Sequence, residues 1–406
     1  MEATTIKAVR AYVRADEVAR RPQLRSFGEN MPEATTSWQE RPIASPLAHQ
    51  PGNEIRTIGG PAWIGDFVVA VEDSDGRVGI GISNGGRIGA AVVASHLAHL
   101  LIGKPVEGMS DISQIWETMW LATQFYGRKG VVVHAISAVD IALWDLLGKR
   151  FDKPVMDLLG GPVKDSLRFY ATTPNAKAAE EGGFAGCKLP LPFGPSAGQA
   201  GFDANVSLFR ESRETIGEDL FLAFDCWMAL TVEYASNLCE ALMPFSLSWL
   251  EECLLPDDYF GYRHLRKQIV PEVKLASGEH EATVAGFRML IETGALQIAQ
   301  PDPTWCGGIT ELLRIIDLCD QHKIPVITHG ASNYGYHVAA AKPSIQLAEC
   351  IIGSNNGAEV IPFYGDIFTG ELIPVNGRLS IEQLSGPGFG LRLSPDVDLV
   401  EIKDSN

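Results

Sequence analysis

Cys-x-x-Cys pairs are absent from this 406-residue chain, whose seven cysteines are also odd in number. A regular disulfide framework is therefore excluded, and the cysteines read as small buried apolar side chains in a reducing compartment. No run of five basic residues occurs, and 33 Lys and Arg against 50 Asp and Glu leave a net charge of -17. Such a balance is wrong for gripping a phosphate backbone, so no nucleic-acid partner is expected. No uninterrupted apolar run reaches 18 residues, so no membrane span is expected either. The N-terminal stretch alternates apolar and polar residues and lacks the apolar core of a secretion signal, which makes the cytoplasm the expected location.

What is present is a chain that is 46% hydrophobic and too long for one ordinary core, so two or three domains are expected. Residues 5–15 read as a strand. A polar, proline-containing stretch from about Pro22 to Gly60 follows, long for a loop and so a candidate lid or binding loop. Asp66–Glu72 and Arg77–Ser83 flank an Asp-Gly turn and read as a hairpin. Residues 88–150 read mainly as helices. Leu159-Gly160-Gly161-Pro162 marks a boundary, beyond which short apolar runs alternate with helical patterns, the signature of α/β architecture with a parallel sheet. From about Gly370 that rhythm stops. The expected order is an α+β domain over 1–158, a TIM-like (β/α) barrel over 159–370, and a C-terminal return segment over 371–406.

Within the barrel region six polar residues each follow an apolar run: Asp225, Glu251, Glu279, Asp302, His329 and Glu349. They are 26, 28, 23, 27 and 20 residues apart, about the length of one strand, one helix and two loops. A parallel barrel gathers such strand ends on one rim, where the active sites of these folds lie. Asp225, Glu251 and Glu279 would repel one another there unless a cation joined them, and their hard oxygens suit Mg²⁺. His329, one βα unit after Asp302, is a candidate general base, since a carboxylate fixes the tautomer of an imidazole and raises its basicity. His280 follows Glu279 directly and either lines the pocket or joins the chemistry. Glu349, if protonated, could donate a hydrogen bond to a developing oxyanion.

The ordered set Asp225, Glu251, Glu279, Asp302 and His329 resembles the enolase superfamily and its mandelate racemase-like branch. So do the hairpin, the Ser137–Asp145 helix and the Leu-Leu-Gly-Gly junction. Asp225-Cys226-Trp227-Met228, Trp249–Leu254, Ser277–Glu281, Trp305–Gly308, Pro374–Arg378 and Pro387–Gly390 are similar to the L-rhamnonate dehydratase family. The resemblance implies a modified barrel with an N-terminal α+β capping domain completed by the C-terminal segment, in a homo-oligomer. It implies Mg²⁺ on Asp225, Glu251 (rather than Glu252) and Glu279, with His329 as acid/base and Asp302 as its partner. Glu349 would contact the carboxylate of a small acid-sugar substrate. The implied reaction is dehydration to a 2-keto-3-deoxy acid.

Racemases of this branch carry Lys-x-Lys on the second barrel strand, and the second lysine serves the face opposite the histidine. Here the text is Cys187-Lys188-Leu189-Pro190. Lys188 could neutralise a substrate carboxylate, but Pro190 cannot move a proton. One face with a base suits elimination rather than racemisation. The loop Trp38–Pro46 resembles the substrate loop of the dehydratases but lacks its flanking histidines, having Ser37 and Pro42 instead. His49 and Arg56 are the candidate substrate contacts near it, and acid sugars epimeric to L-rhamnonate stay open as substrates.

Overall fold

The computed structural model describes residues 3–15, 44–50 and 65–404. The N-terminal unit is built on an antiparallel sheet. Strand β1 (Ile6–Arg14) pairs with β2 (Asp66–Asp73), and β2 forms the expected hairpin with β3 (Val78–Asn84). The turn closes by a bond from the Gly76 amide to the Asp73 carbonyl, with Gly76 at φ 83°, a left-handed conformation that glycine adopts at no steric cost.

Helix α2 (Val131–Phe151) packs on this sheet, and α1 (Met109–Thr123) packs on α2. Helix α2 is long and apolar enough to cross a membrane, but most of it is buried inside the fold. A helix apolar on all sides belongs in a core. Its approach to β3 is set by two glycines. A Cβ on Gly79 would fall 2.0 Å from the Ala142 carbonyl oxygen, and one on Gly81 equally close to that of Ala138. The Gly-x-Gly of the hairpin is thus a packing device that lets strand and helix backbones touch.

The second unit is a curled parallel sheet with helices on its outside. Its strands are β4 (Ser166–Thr172), β5 (Gly186–Pro190), β6 (Phe221–Asp225), β7 (Leu247–Glu251), β8 (Lys274–Ser277), β9 (Ile298–Ala299) and β10 (Ala348–Ile351). They run in the order β10-β4-β5-β6-β7-β8-β9. The strand expected before His329 is reduced to a bridge between Ala299 and Val326. Tyr170, Ala223, Trp249, Ala276, Ile298 and Ile327 fill the inside of the barrel as one apolar layer. The residues two positions further along several strands rise above this floor to the rim, because strand side chains alternate.

Two buried aspartates of α2 join the units. Asp140 accepts bonds from the amide and hydroxyl of Thr310, near the start of helix α3 (Gly308–His322). Asp145 accepts from the amides of Ile80 and Phe389. Burial pushes the Asp140 carboxyl up to about 7. The C-terminal segment divides its pairing. A short strand, Arg378–Ser380, lies antiparallel on β4 of the barrel, while Leu399–Ile402 pairs with β1 of the first sheet. Its return is therefore shared between the barrel and the N-terminal unit.

Candidate active site

The rim residues converge. Asp225 and Glu251 are the last residues of β6 and β7 and lie opposite each other in register. Glu279 follows β8 after Gly278, whose φ of 130° bends the chain; a Cβ there would meet the Phe287 ring at 2.7 Å. One oxygen from each of the three carboxylates lies within 4.8 Å of the others.

Their electrostatics are those of a crowded anionic site. Burial, reinforced by neighbouring carboxylates, pushes Glu251 up to about 8 and Glu279 up to about 7, and raises Asp225. Lys188, fully buried on β5, offsets part of the charge. Its Nζ bonds Glu251 Oε1 and lies 2.8 Å from Glu349 Oε1 and 3.8 Å from Asp225 Oδ2. Burial alone would lower the lysine, but Glu251 and Glu349 outweigh it and the ammonium is held well above its usual range. Glu279 Oε2 is buried and makes no well-formed hydrogen bond among the described residues; the cation nearest to it there is His329 Nε2, at 3.2 Å. Three carboxylate oxygens this close together, one carboxylate keeping an oxygen with no hydrogen bond, fit a divalent hard cation, which would satisfy all three at once.

The dyad forms as well. His329 Nδ1 lies 2.7 Å from Asp302 Oδ2. The other Asp302 oxygen accepts from both the amide and the hydroxyl of Thr304, at 2.6 Å each. The Thr304 carbonyl in turn accepts from the Ser83 hydroxyl at the end of β3, so the N-terminal unit braces this loop. His329 Nε2 faces the trio, 3.2 Å from Glu279 Oε2. Burial opposes the imidazolium, but Glu279 and Asp302 outweigh it and raise the imidazole well above its ordinary value.

Glu349 is the second residue of β10 rather than a strand end, and its charge differs from the neutral donor considered above. Its oxygens accept from Lys188, the Thr172 hydroxyl and the Gly330 amide. Burial would raise this carboxyl, yet Lys188 and His329 outweigh it and bring it down to about 2. It is an ionised acceptor. His280 lies at the site, its Nδ1 2.5 Å from Glu252 Oε2 and 3.4 Å from Glu279 Oε1. Burial disfavours its cation, but Glu252 and Glu279 raise it to about 9. Glu252 is thus paired with His280, while Glu251 faces Asp225 and Glu279. Pro190 pairs in register with Asp225, two residues beyond Lys188 and so on the same inward face of β5. His49 is exposed on the turn Pro46–His49. Arg56, Ser37 and Pro42 lie outside the described residues.

Sequence reading missed several supports. Trp305 stands between the two histidines, its ring centroid 5.3 Å from each, and its indole donates to Asn84 Oδ1 of β3. Gln300 and Trp249 both donate to Glu251 Oε2. Each of the last two stands two residues before a named site residue, and strand periodicity was the signal that could have found them.

A curled parallel barrel whose rim joins three clustered carboxylates to a His–Asp pair defines a metal-assisted, proton-abstracting class of enzyme. Residues 172–397 match the family model "Enolase C-terminal domain-like", and residues 66–160 match "Mandelate racemase / muconate lactonizing enzyme, N-terminal domain". The chain belongs to the enolase superfamily, in its mandelate racemase-like branch. It is 45% identical over 368 residues to the L-rhamnonate dehydratase of Saccharopolyspora erythraea, covering 90% of this chain and 93% of that one. It is also similar to the crystal structure of L-rhamnonate dehydratase from Gibberella zeae, with TM-score 0.88, 36% identity, and 99% and 97% of the two chains covered. A second structure from Gibberella zeae, of rhamnonate dehydratase complexed with Mg, matches with TM-score 0.89 and 35% identity over the same shares.

Proposed function

We propose that this chain is a Mg²⁺-dependent acid-sugar dehydratase, a hydro-lyase acting on L-rhamnonate or a close epimer to give the 2-keto-3-deoxy acid. The observation that carries this reading is that the described residues bring one His–Asp pair to the carboxylates. The His329–Asp302 pair faces the carboxylate trio, and Pro190 stands where a racemase of this branch has its second lysine.

Asp225, Glu251 and Glu279 would hold the cation. Bound there, Mg²⁺ supplies positive charge that acidifies the C2 proton of a carboxylate substrate and stabilises the enediolate. Asp302 accepts the Nδ1 proton of His329, and a cation on Glu279 would take up the negative charge that raises the imidazole, leaving Nε2 as the basic nitrogen toward the substrate. His329 removes the C2 proton, and the C–H electron pair enters the enediolate. The resulting imidazolium, stabilised by Asp302, gives the same proton to the 3-hydroxyl as the C3–O bond breaks. Water leaves, and the enol ketonises by taking a proton at C3. Lys188 neutralises the substrate carboxylate, and Glu349, which holds Lys188, sets where its ammonium lies. His280 lines the pocket with Trp227 and Trp305. His49 and Arg56 belong to the segment that selects the distal hydroxyls.

Incubating the protein and Mg²⁺ with a library of acid sugars in D₂O tests the reading. Keto acid from L-rhamnonate or an epimer is the expected result. Exchange at C2 with inversion and no keto acid would make the protein an epimerase instead. Neither product with any sugar would leave a sugar-acid binder.

A further inference from the structure

Glu251 sits differently from its two partners. Its Oε2 accepts two buried N–H donors, the Gln300 amide at 2.5 Å and the Trp249 indole at 3.2 Å. Only Oε1 is left toward the trio, where it meets Lys188. Among the described residues Asp225 and Glu279 show no comparable pair of neutral donors on one oxygen: Asp225 Oδ1 accepts from the Trp227 amide, and the Glu279 oxygens face the His280 and His329 rings.

Gln300 makes no sense as a packing residue. It is 1% exposed, and its amide oxygen is buried without a partner among the described residues. A half-satisfied buried amide costs stability that an apolar side chain of equal volume would not. What this amide provides is a neutral donor that cannot ionise, held at one carboxylate oxygen. Trp249 supplies the second donor while its ring fills the barrel floor.

We infer that Gln300, assisted by Trp249, is a positioning residue for the cation site: it fixes the Glu251 carboxylate so that only Oε1 can serve as ligand. This inference rests on the metal reading above. Orienting a ligand in advance spares the cation the cost of ordering it, and loss of such a support costs 10–100-fold in metal affinity.

The test is binding of Mn²⁺, as a spectroscopic substitute for Mg²⁺, measured by titration on the full chain without substrate. Gln300→Met keeps the volume and removes the donor, so Mn²⁺ affinity should fall about 10–100-fold. Trp249→Phe keeps an aromatic side chain but loses the indole N–H, and affinity should fall by less, in the same direction. The apparent KM for Mg²⁺ should rise with the dissociation constant, while kcat at saturating Mg²⁺ stays within a few-fold. Affinities within twofold of wild type in both variants would overturn the role of Gln300 and leave the metal site standing. A wild-type chain that binds neither cation would overturn the metal site itself. Should Gln300→Met fail to fold, Trp249→Phe decides by the same titration.

Discussion

The Nδ1 of His329 and the Oδ2 of Asp302 lie 2.7 Å apart, and Thr304 saturates the other oxygen of the aspartate. Asp302 can therefore offer the histidine one acceptor in one direction. Asp302→Asn should lower kcat by roughly 10²–10⁴-fold, the usual worth of an acid/base group, with little change in fold. His329→Asn should abolish both dehydration and C2 exchange in D₂O. Exchange retained in that variant would remove His329 from the role of base.

Lys188 is buried against Glu251 and Glu349. Its loss leaves two buried carboxylates without their cation, a change that typically costs about 3–5 kcal/mol. Lys188→Met should thus melt well below wild type in EDTA and recover part of the loss in Mg²⁺. A Mg²⁺-induced rise in Tm no larger than that of wild type would contradict the shared-charge account.

Chelation should abolish turnover, and added Mg²⁺ should restore it, because three carboxylates within 4.8 Å of one another cannot arrange a carboxylate substrate by themselves. Full activity after exhaustive dialysis against EDTA would sink the cation's part in the reaction.

His337 is buried, and its Nδ1 accepts from the Met156 amide, which requires that nitrogen to be unprotonated. Burial pushes this histidine down to about 4. The folded value lies below the unfolded one of about 6.5, so its stabilisation is present above pH 6.5. It drains away as pH falls toward 4, up to on the order of 3 kcal/mol. His337→Gln keeps an acceptor without titrating, so its denaturant midpoint should fall less steeply over this window. Equal slopes would exclude His337 as a source of acid sensitivity.

Gly81 lets β3 touch α2. A methyl there would lie 2.0 Å from a backbone oxygen that cannot rotate away, so Gly81→Ala should destabilise the N-terminal unit by about 1–3 kcal/mol in urea unfolding. Unchanged stability would mean that the two elements separate at no cost.

Much of this site was legible before any coordinates. The interval between Asp225, Glu251, Glu279, Asp302 and His329 is the length of a βα unit, and a repeating unit carries its own geometry. The hairpin and helix α2 were legible for the same reason, since turn chemistry and hydrophobic period act over a few residues. The strand before His329 was overestimated: its apolar run Ile324–Thr328 predicts a strand, yet the sheet engages it only at the Ala299–Val326 bridge. Glu349 was placed at a strand end and lies inside one.

By itself the sequence determined the kind of fold and which carboxylates and histidine recur one βα unit apart, both periodic properties, while the meaning of Pro190 came from the resemblance to the mandelate racemase-like branch. Only the tertiary structure decided their electrical state and their supports. Whether Glu349 is neutral or ionised depends on Lys188, 161 positions away on the chain and 2.8 Å away in space. Which Glu251 oxygen turns toward Asp225 and Glu279 depends on Gln300, two strands along the sheet, holding the other. Charge and hydrogen bonding act through distance, and distance between remote residues exists only once the chain has closed on itself.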